Sequence, residues 1–320
     1  MTQSKRGRIV SVGCAVPPKT LTNKDLEKIL DTTDEWIVKR TGIRQRHIVD
    51  KNENVFAYEI GARAAQAALV KAELTKSDVD GIICATFTPD YFFPSTACKI
   101  QAVLGCANAF AFDVSAACSG FVYALSVANA MIVSGNYTTI LVVGVEIASK
   151  TLDWTDRSTS ILFGDGAGAV VLQADETEGK GILSTYLKSD GSLGDILYLP
   201  AWGENRFMKM NGNEVYKHAV RMMGEAVKIG LDKAGLGIEH MDLLIPHQAN
   251  MRIISAISSH LKVPMEKIVC NMDRYSNTGS ASIPLALQDA WSDGRIKDGV
   301  LAVFTSLGGG LAAGSVVVRF

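Results

Sequence analysis

Asp113-Val-Ser-Ala-Ala-Cys-Ser-Gly120 is the most informative segment for the fold, because its pattern returns in altered form later in the chain. Cys118-Ser-Gly has a counterpart in Asn277-Thr-Gly, 159 residues further on (277 minus 118). Each motif opens a run of small and apolar residues with helical character, and the two runs end near Gly135 and Gly294, again 159 residues apart. A short apolar run typical of a buried strand follows each of them. The repeat predicts two related halves.

Two further similarities occur in the same order. Asp80-Gly-Ile-Ile-Cys-Ala85 resembles Asp242-Leu-Leu-Ile-Pro-His247, and Gly166–Leu172 resembles Ala312–Val318. The last offset is 146 residues, so the first half carries extra residues, roughly between 147 and 164. We predict an N-terminal half of residues 1–178 and a C-terminal half of 179–320, joined in the polar stretch 175–181.

Strand-like and helix-like segments alternate along the chain. The continuous apolar runs indicate strands covered on both faces, and they are Gly81–Thr86, Ile140–Val145, Ala167–Leu172, Asp242–Pro246 and Val300–Phe304. The longer segments with helical patterns are Ala57–Ala72, Cys118–Ser134 and Glu214–Ala234. This alternation predicts a layered α/β fold.

Composition excludes several classes of protein. The 320 residues are 48% hydrophobic with a formal net charge of -1, which excludes a disordered chain and argues against bulk electrostatic binding of nucleic acid. No apolar run approaches the ~18 residues of a membrane-spanning helix, and the start of the chain does not resemble a secretory signal. We therefore expect a cytoplasmic protein without membrane association. Its six cysteines form no C-x-x-C pair, and no zinc-ligand spacing occurs, so we expect no metal.

Cys118 is the candidate nucleophile. A thiol at the N-terminus of a helix lies near unpaired N–H groups and the positive end of the helix dipole, and both favour the reactive thiolate. The alternative is a buried, inert cysteine that begins a core helix.

Three other motifs carry polar groups that suit catalysis. His247 follows a predicted strand and Pro246, at a sheet edge where ligands collect in α/β folds; the alternative is a buried structural histidine. Asn277 has a side-chain amide that can donate hydrogen bonds, although an N-cap role explains it equally. The loop Ser306-Leu-Gly-Gly-Gly310 can present N–H groups to an oxyanion, or it is a tight turn.

Other polar and glycine-rich positions receive structural interpretations. Gly164-Asp-Gly-Ala-Gly-Ala169 leads into a strand and not into a helix, so we interpret it as close packing and not as a dinucleotide site. The remaining histidines are expected to be structural or exposed, and they are His47, His218, His240 and His260.

The order of these motifs resembles the β-ketoacyl-acyl-carrier-protein synthase III family, nearly from end to end. The matching stretches are Thr33–Arg44, Phe163–Gly168, Gly212–Val215, Pro246–Asn250 and the glycine-rich loop with Val318-Arg-Phe320. The resemblance implies the thiolase fold, which is an α/β fold of five layers, α-β-α-β-α, with two pseudo-twofold-related halves. It also implies a homodimer.

The same resemblance implies a two-stage reaction. Cys118 would accept a short acyl group, acetyl above all, from acyl-CoA, with the N–H groups of Cys118 and Gly309 as the oxyanion hole. His247 and Asn277 would then assist decarboxylation of malonyl carrier protein and condensation to a 3-oxoacyl carrier protein, which initiates fatty acid synthesis. Acyl-CoA is a substrate here, and no cofactor is implied. The related elongating synthases use a second histidine at the position of Asn277.

Binding residues also follow from the resemblance. For CoA they are Trp36, Arg40, Arg157, Asn213 and Asn250. For the acidic carrier protein, Arg252 matches a basic family position, and Lys217 and Arg221 are expected near the same mouth of the site. Ser259-His260 replaces a basic pair found in some members. Phe87 and Phe93 would close a short acyl pocket, Phe93 from a loop that crosses the dimer. Without the resemblance, Trp36 is equally a packing residue and the arginines are solvated surface charges.

Three other functions remain open from the residues alone. One is a related condensation in secondary metabolism, which would use the same three residues. Another is a Cys-His-Asn hydrolase of thioesters or amides, since acyl-enzyme formation is common to both chemistries. The last is a non-catalytic binding protein.

Overall fold

The structure is a computed structural model that describes residues 5–50 and 52–320. The strands of the first half are β1 (Arg6–Ala15), β2 (Thr20–Thr22), β3 (Gln45–His47), β4 (Gly81–Ala85), β5 (Phe110–Val114), β6 (Thr139–Ile147) and β7 (Asp165–Asp175). Its helices are α1 (Asn23–Leu26), α2 (Asp34–Thr41), α3 (Ala57–Lys71), α4 (Thr96–Leu104), α5 (Gly120–Val133) and α6 (Arg157–Ser160).

The second half continues the same alternation. Its strands are β8 (Gly181–Ser189), β9 (Leu197–Tyr198), β10 (Lys209–Met210), β11 (Leu243–Pro246), β12 (Leu301–Gly308) and β13 (Ala312–Arg319). Its helices are α7 (Gly212–Lys233), α8 (Met251–Leu261), α9 (Met272–Tyr275) and α10 (Ser282–Ser292). Two 3₁₀ turns matter for the site, Ala117–Ser119 and Gly279–Ala281.

Two mixed sheets share one topology. The first has the order β1-β7-β6-β4-β5, and the second has β8-β13-β12-β11. In both, the first two pairings are antiparallel and the next is parallel. The parallel partner β5 of the first sheet has a reduced counterpart in the second, the isolated parallel bridge between Leu244 and Ile268. The predicted duplication is therefore present as a repeated strand order.

Helices cover both faces of each sheet, which gives five layers. Ile82 of β4 packs in the core beneath α3, whereas the next residue, Ile83, packs in the central core with α5 and α10. The second sheet behaves alike: Phe304 of β12 faces the central core, and Val303 faces α7 and α8. Because side chains alternate across a strand, residues buried on both faces need apolar neighbours on both sides. This explains the unbroken apolar runs in the sequence.

The predicted close packing of the glycine-rich stretch is confirmed. Gly168 lies in β7, and a Cβ added there would lie 2.6 Å from Cβ of Pro284 in α10. No helix opens after this motif, so it has no dinucleotide-binding geometry.

The chain leaves the first sheet at Asp175 and enters the second at Gly181. The division into 1–178 and 179–320 stays a prediction.

Across residues 5–50 and 52–320, no helix combines the length and apolar character needed to cross a membrane.

Candidate active site

Cys118 lies in a tight turn between β5 and α5. The turn is the 3₁₀ segment Ala117–Ser119, and Ala117 has a positive φ of 47°, which L residues rarely adopt. The Ser119 hydroxyl donates to the Ala312 carbonyl at 2.6 Å, which fixes the turn to the second sheet. Cys118 itself is 7% exposed. The sequence prediction of a cysteine at a strand-to-helix turn is correct, with a 3₁₀ turn inserted before the helix.

The glycine-rich loop packs directly on this turn. β12 continues to Gly308, three residues further than a loop beginning at Ser306 would allow. A Cβ added to Gly308 would lie 2.7 Å from the Cys118 nitrogen and 2.7 Å from the Ala116 oxygen. A Cβ at Gly309 would lie 2.7 Å from the Leu197 oxygen. At both positions another backbone segment packs so closely that there is no room for a Cβ, so only glycine fits.

His247 is held in place through its backbone and through one ring nitrogen. It follows β11, and its backbone N–H donates to the Thr305 carbonyl at 2.8 Å. Its ring Nδ1 lies 2.6 Å from the hydroxyl of Ser282, the first residue of α10. The side chain is 2% exposed, and burial lowers the pKa of His247 to about 4. The imidazole is therefore neutral near pH 7, in the form that can donate one hydrogen bond.

Asn277 has a fixed amide orientation. Its Oδ1 accepts the backbone N–H of Gly279 at 2.9 Å, so the Nδ2 group is the end available for donation. The backbone N–H of Asn277 donates to the Leu162 carbonyl at 3.0 Å, which connects it to the first half. The helix α10 begins five residues later than the sequence pattern placed it, because the 3₁₀ turn Gly279–Ala281 comes first.

That second 3₁₀ turn brings the three candidate residues together. It begins two residues after Asn277, contacts the Cys118 turn, and leads into Ser282, which holds His247. The two turns occupy equivalent positions in the two halves. Cys118, His247, Asn277 and the Gly308–Gly309 loop therefore surround one buried region at the junction of the halves.

Two effects act in opposite directions on the Cys118 thiolate: the N-terminus of α5 favours it, and burial of the side chain disfavours it. Removal from water raises the pKa of the Cys118 thiol to about 12, and the charge of Glu146 adds to this rise. The thiol is therefore protonated at rest near pH 7. The helix dipole of α5 acts on the thiolate as it forms during reaction.

Two residues around the site were missed in the sequence analysis. Glu146 is fully buried near the end of β6, and Ser282 contacts His247. A glutamate inside the apolar run Thr139–Ile147 is an anomaly that could have signalled the first. No sequence feature distinguishes Ser282, because its contact with His247 joins positions 35 residues apart.

Two of the candidate CoA residues, Arg40 and Arg157, lie over the ring of Trp36. The Arg157 guanidinium carbon lies 4.6 Å from the Trp36 ring centroid, and that of Arg40 lies 5.3 Å from it. Both distances are typical of cation–π contacts. Asn213 lies in the first turn of α7 and lines a cleft with Asp156, the neighbour of Arg157.

Asn250 is the N-cap of α8, and its Oδ1 accepts the N–H of Arg252 at 2.8 Å. Its Nδ2 remains available for a ligand, so the capping role and a binding role are compatible.

The candidate basic surface lies on α7 and α8. Lys217 and Arg221 each pair with an acidic residue of the same helix, Glu214 at 2.7 Å and Glu225 at 3.4 Å. Arg252 instead packs over the Tyr216 ring, with its guanidinium carbon 5.4 Å from the centroid. A groove beside Arg252 runs between α2, α7 and α8.

The two candidate acyl-pocket residues, Phe87 and Phe93, differ in solvent exposure. Phe87 packs in a small apolar cluster with Met208, and its ring approaches Gly279. Phe93 is 86% exposed on the loop before α4. A single chain therefore does not bring Phe93 into the buried region.

Comparison with known proteins identifies the family. Sequence models of 3-oxoacyl-[acyl-carrier-protein (ACP)] synthase III and of its C-terminal region match residues 112–191 and 231–320. A β-ketoacyl-[acyl-carrier-protein] synthase III of Xanthomonas campestris pv. campestris is 49% identical, over 99% of this chain and 100% of that protein.

The chain belongs to the 3-oxoacyl-[acyl-carrier-protein] synthase III family. The family resemblance noted in the sequence is thereby confirmed, and the chain is an acyltransferase of the condensing-enzyme class.

Solved structures confirm the fold class. The family member from Aquifex aeolicus VF5 has a TM-score of 0.94 at 45% identity and covers 98% of this chain and 100% of its own. The member from Pseudomonas aeruginosa PAO1 has a TM-score of 0.94 at 42% identity and covers 98% of both chains. The α/β thiolase-like fold predicted for the family is therefore correct.

Proposed function

We propose that this chain catalyses a two-stage condensation in which Cys118 is the nucleophile. In the first stage, Cys118 Sγ attacks the thioester carbonyl of a short acyl-CoA. The backbone N–H groups of Cys118 and Gly309 receive the developing oxyanion. The carbon–sulfur bond to CoA breaks, the acyl group stays on Cys118 as a thioester, and the thiol proton ends on CoA.

The second stage uses His247 and Asn277 on malonyl carrier protein. Loss of carbon dioxide leaves an enolate, whose oxygen accepts hydrogen bonds from His247 Nε2–H and Asn277 Nδ2. The enolate carbon then attacks the Cys118 thioester and forms the new carbon–carbon bond. Cys118 leaves as the thiolate and takes a proton from water, and a 3-oxoacyl carrier protein is the product.

The observation that carries this proposal is a pair of neutral, oriented donors held by the turn that contacts the Cys118 turn. A neutral His247 and an Asn277 amide fixed through Gly279 suit an oxygen that becomes negative during decarboxylation. Hydrolysis of an acyl-cysteine would instead call for a base that activates water. A His247 whose pKa is lowered to about 4 is a weak base.

Mass spectrometry of the intact protein tests the proposal. The protein is incubated with acetyl-CoA, then with malonyl carrier protein, beside Cys118→Ala. We expect one acetyl adduct, absent from the variant, that is discharged as acetoacetyl carrier protein. An adduct lost only as free acetate would support the hydrolase instead. Condensation with malonyl-CoA but not with malonyl carrier protein would support a secondary-metabolic enzyme.

For CoA, we propose that the adenine inserts between Trp36 and Arg157. The Arg157 guanidinium carbon lies over the Trp36 ring, 4.6 Å from its centroid, and the purine would replace that contact. Arg40 would contact phosphate, and Asn213 and Asn250 would contact the pantetheine arm. Trp36→Ala should raise KM for acetyl-CoA roughly tenfold, about the loss of one aromatic stacking contact, with kcat little changed. Lys24→Ala, an exposed change in the neighbouring helix α1, is the matched control.

For the carrier protein, we propose docking on the surface of Lys217, Arg221 and Arg252. Arg252 is the strongest contributor, because no carboxylate in the described part of the chain pairs with it. Opposite charges on two partners raise the association rate and make it salt-dependent. Arg252→Glu should raise KM for malonyl carrier protein while the rate of Cys118 acetylation stays the same. An equal loss in both steps would contradict this placement.

For the acyl pocket, we propose a short chain, acetyl above all. Phe87 fills the space beside Gly279, in the turn that contacts the Cys118 turn. Replacement by a smaller side chain, Phe87→Ala, should allow octanoyl-CoA to acylate Cys118. Equal rates for acetyl-CoA and octanoyl-CoA in the unchanged protein would refute the short pocket.

We further propose that the protein is a homodimer joined at the free edge of β5. This edge strand carries the partly buried Phe110 and Phe112, and unpaired edges invite strand pairing. Asp113 of the same strand accepts N–H groups from Thr96 and Ala97, which ties the Phe93 loop to this edge. Phe93 would then reach the partner's pocket. Light scattering gives the mass, and a monomer with full activity would contradict the proposal.

No metal or organic cofactor enters this scheme. Among the residues that the structure describes, no three His, Cys, Asp or Glu side chains are grouped as metal ligands. The cytoplasmic location expected from the sequence stays a prediction.

A further inference from the structure

Glu146 is a buried acid without a cationic partner. It lies in β6, where every residue is buried, and its own side chain is 0% exposed. Within residues 5–50 and 52–320, no lysine or arginine forms an ion pair with it. An unpaired buried carboxylate is costly, so such a group is commonly neutral or has a function that maintains it.

The hydrogen bonds of the carboxyl group are unequal at its two oxygens. Oε2 accepts from the Thr88 hydroxyl at 2.7 Å, the Phe87 N–H at 3.1 Å and the Thr86 hydroxyl at 3.2 Å. Both threonine hydroxyls receive a backbone N–H of their own, from Thr88 and Ile147, and so have their single protons free for Glu146. Oε2 is therefore the oxygen that only accepts.

Oε1 shares the Phe87 N–H at 3.3 Å, and its short contact is with another residue. The Ser280 hydroxyl lies 2.7 Å from Oε1 and 2.8 Å from the Ala85 carbonyl, and it has one proton for two acceptors. A carbonyl oxygen can only accept, so donation by Ser280 to Ala85 leaves the contact with Oε1 without a proton unless the carboxyl supplies one. A proton on Oε1 satisfies both contacts.

The position of Glu146 links it to the proposed chemistry. A Cβ at Gly279 would lie 2.8 Å from Glu146 Cγ, and the Gly279 N–H holds the amide of Asn277. The same carboxyl holds the backbone of Phe87, which we place in the acyl pocket. A negative charge on Glu146 also disfavours the Cys118 thiolate.

We propose that Glu146 is a positioning residue that stays protonated on Oε1 in the resting enzyme, so that the Cys118 thiolate forms beside a neutral carboxyl. In this role it joins the Phe87 loop to the turn after Asn277 without adding a charge next to the nucleophile. The inference rests on the proposed role of Cys118. Two interacting acids of this kind titrate as a coupled pair.

The surroundings of Glu146 favour the protonated carboxyl group. Burial raises the pKa of Glu146 to about 8, although hydrogen bonds from Ser280, Thr88 and Phe87 act against the rise. The titratable groups that face it are the thiols of Cys118 and Cys84. Asp90 and Asp113 act on Cys84 from the neighbouring strand ends.

The pH profile of Cys118 alkylation by iodoacetamide tests the proposal without using any substrate. The unchanged protein is compared with Glu146→Gln, which keeps the shape and cannot ionise. We expect the two rates to agree within about twofold near pH 7. Above about pH 9 the variant should react faster, by roughly tenfold at the highest pH, because only the unchanged protein then carries the second charge.

Two results would overturn the proposal. A tenfold faster variant already at pH 7 would mean that Glu146 is ionised at rest. Equal rates at every pH would mean that the two groups are not coupled. The matched control is Asp165→Asn, which removes another buried carboxyl, one bonded to Ser149 and Val49, and should leave the profile unchanged.

Infrared spectroscopy of the unchanged protein covers the case in which Glu146→Gln does not fold. The carbonyl band of a neutral carboxyl should be present at about pH 6.5 and lost near pH 9.5, and Thr88→Val should move that loss to higher pH. Absence of the band at pH 6.5 would refute the protonated state. Both readouts are independent of the condensation assay, so a failure of the proposed function would appear separately, as no acetoacetyl carrier protein.

Discussion

Ser282 Oγ lies 2.6 Å from His247 Nδ1, in the buried part of the site. The same oxygen accepts the Gln248 N–H at 3.3 Å. Among the hydrogen bonds of the described residues, the Ser282 hydroxyl has no other acceptor for its own proton, so it donates to Nδ1. A neutral His247 then carries its proton on Nε2, which makes Nε2 the donor toward the site.

Ser282→Ala should therefore slow condensation more than acylation. Without the hydroxyl, both tautomers of His247 become accessible, and the donor at Nε2 is present only part of the time. We expect a loss of about tenfold in single-turnover formation of acetoacetyl carrier protein, which corresponds to about 1.4 kcal/mol. Cys118 acetylation, followed by mass spectrometry, should change less than twofold. Ser292→Ala, at the exposed end of the same helix, is the control. Equal losses in both steps would contradict the tautomer assignment.

Asn277→Asp should have a larger effect on the same step. The carboxylate would replace the Nδ2 donor with an acceptor and place a charge where the enolate oxygen forms. Removal of one such donor costs roughly 10²–10³ in rate, so we expect a loss of that size in decarboxylation of malonyl carrier protein. The neighbouring Thr278→Val removes a buried hydroxyl that has no hydrogen-bond partner in the described part of the chain, and it should keep normal decarboxylation. Retained decarboxylation in Asn277→Asp would remove this residue from the mechanism.

Gly308→Ala should distort the turn that holds Cys118 and slow its acetylation. The added methyl group would lie 2.7 Å from both the Cys118 nitrogen and the Ala116 oxygen, so the turn must move. We expect Cys118 acetylation to fall at least tenfold, with a lower melting temperature. Gly194→Ala is the matched control, because a Cβ there meets no atom within 4 Å and no positive φ is involved. Normal acetylation in Gly308→Ala would show that the turn tolerates displacement.

The buried His247 should make the protein less stable in mild acid. Its pKa is lowered from 6.5 to about 4, so the unfolded chain binds a proton between these values while the folded chain does not. Stability contributed by the neutral ring is present above about pH 6.5 and is lost as the pH falls toward 4. The loss should be about 2–3 kcal/mol near pH 4.5.

His247→Gln removes this proton uptake. Urea unfolding of both proteins at pH 7 and pH 4.5 should give a smaller loss for the variant by that amount. Glu146 and Asp165 have raised pKa values of about 8 and about 6, so they make the folded state lose stability as pH rises. Both proteins contain these two acids, so their effect cancels in the comparison. An identical pH dependence in the two proteins would contradict the neutral, buried ring.

The buried strands, the two related halves and the family could all be predicted from the sequence. The continuous apolar runs predicted strands covered on both faces, because a fully buried strand tolerates few polar residues. The 159-residue repeat between Cys118 and Asn277 predicted two related halves, and the repeated strand order agrees with it. The family resemblance rested on ordered motifs, and the family models and a relative of 49% identity confirmed it.

The contacts between distant segments follow from the packing of the two halves and not from any local pattern in the sequence. The hydroxyl of Ser282 on His247, the backbone of Gly308 on the Cys118 turn and the donors around Glu146 all join residues from different elements. Neither periodicity nor local spacing encodes such contacts, since they depend on how two sheets pack through α5 and α10. The protonation states of Cys118 and His247 in the resting protein also depend on the tertiary structure. A helix N-terminus can be predicted from local sequence, but the removal of water that shifts these pKa values exists only once the halves have closed around the site.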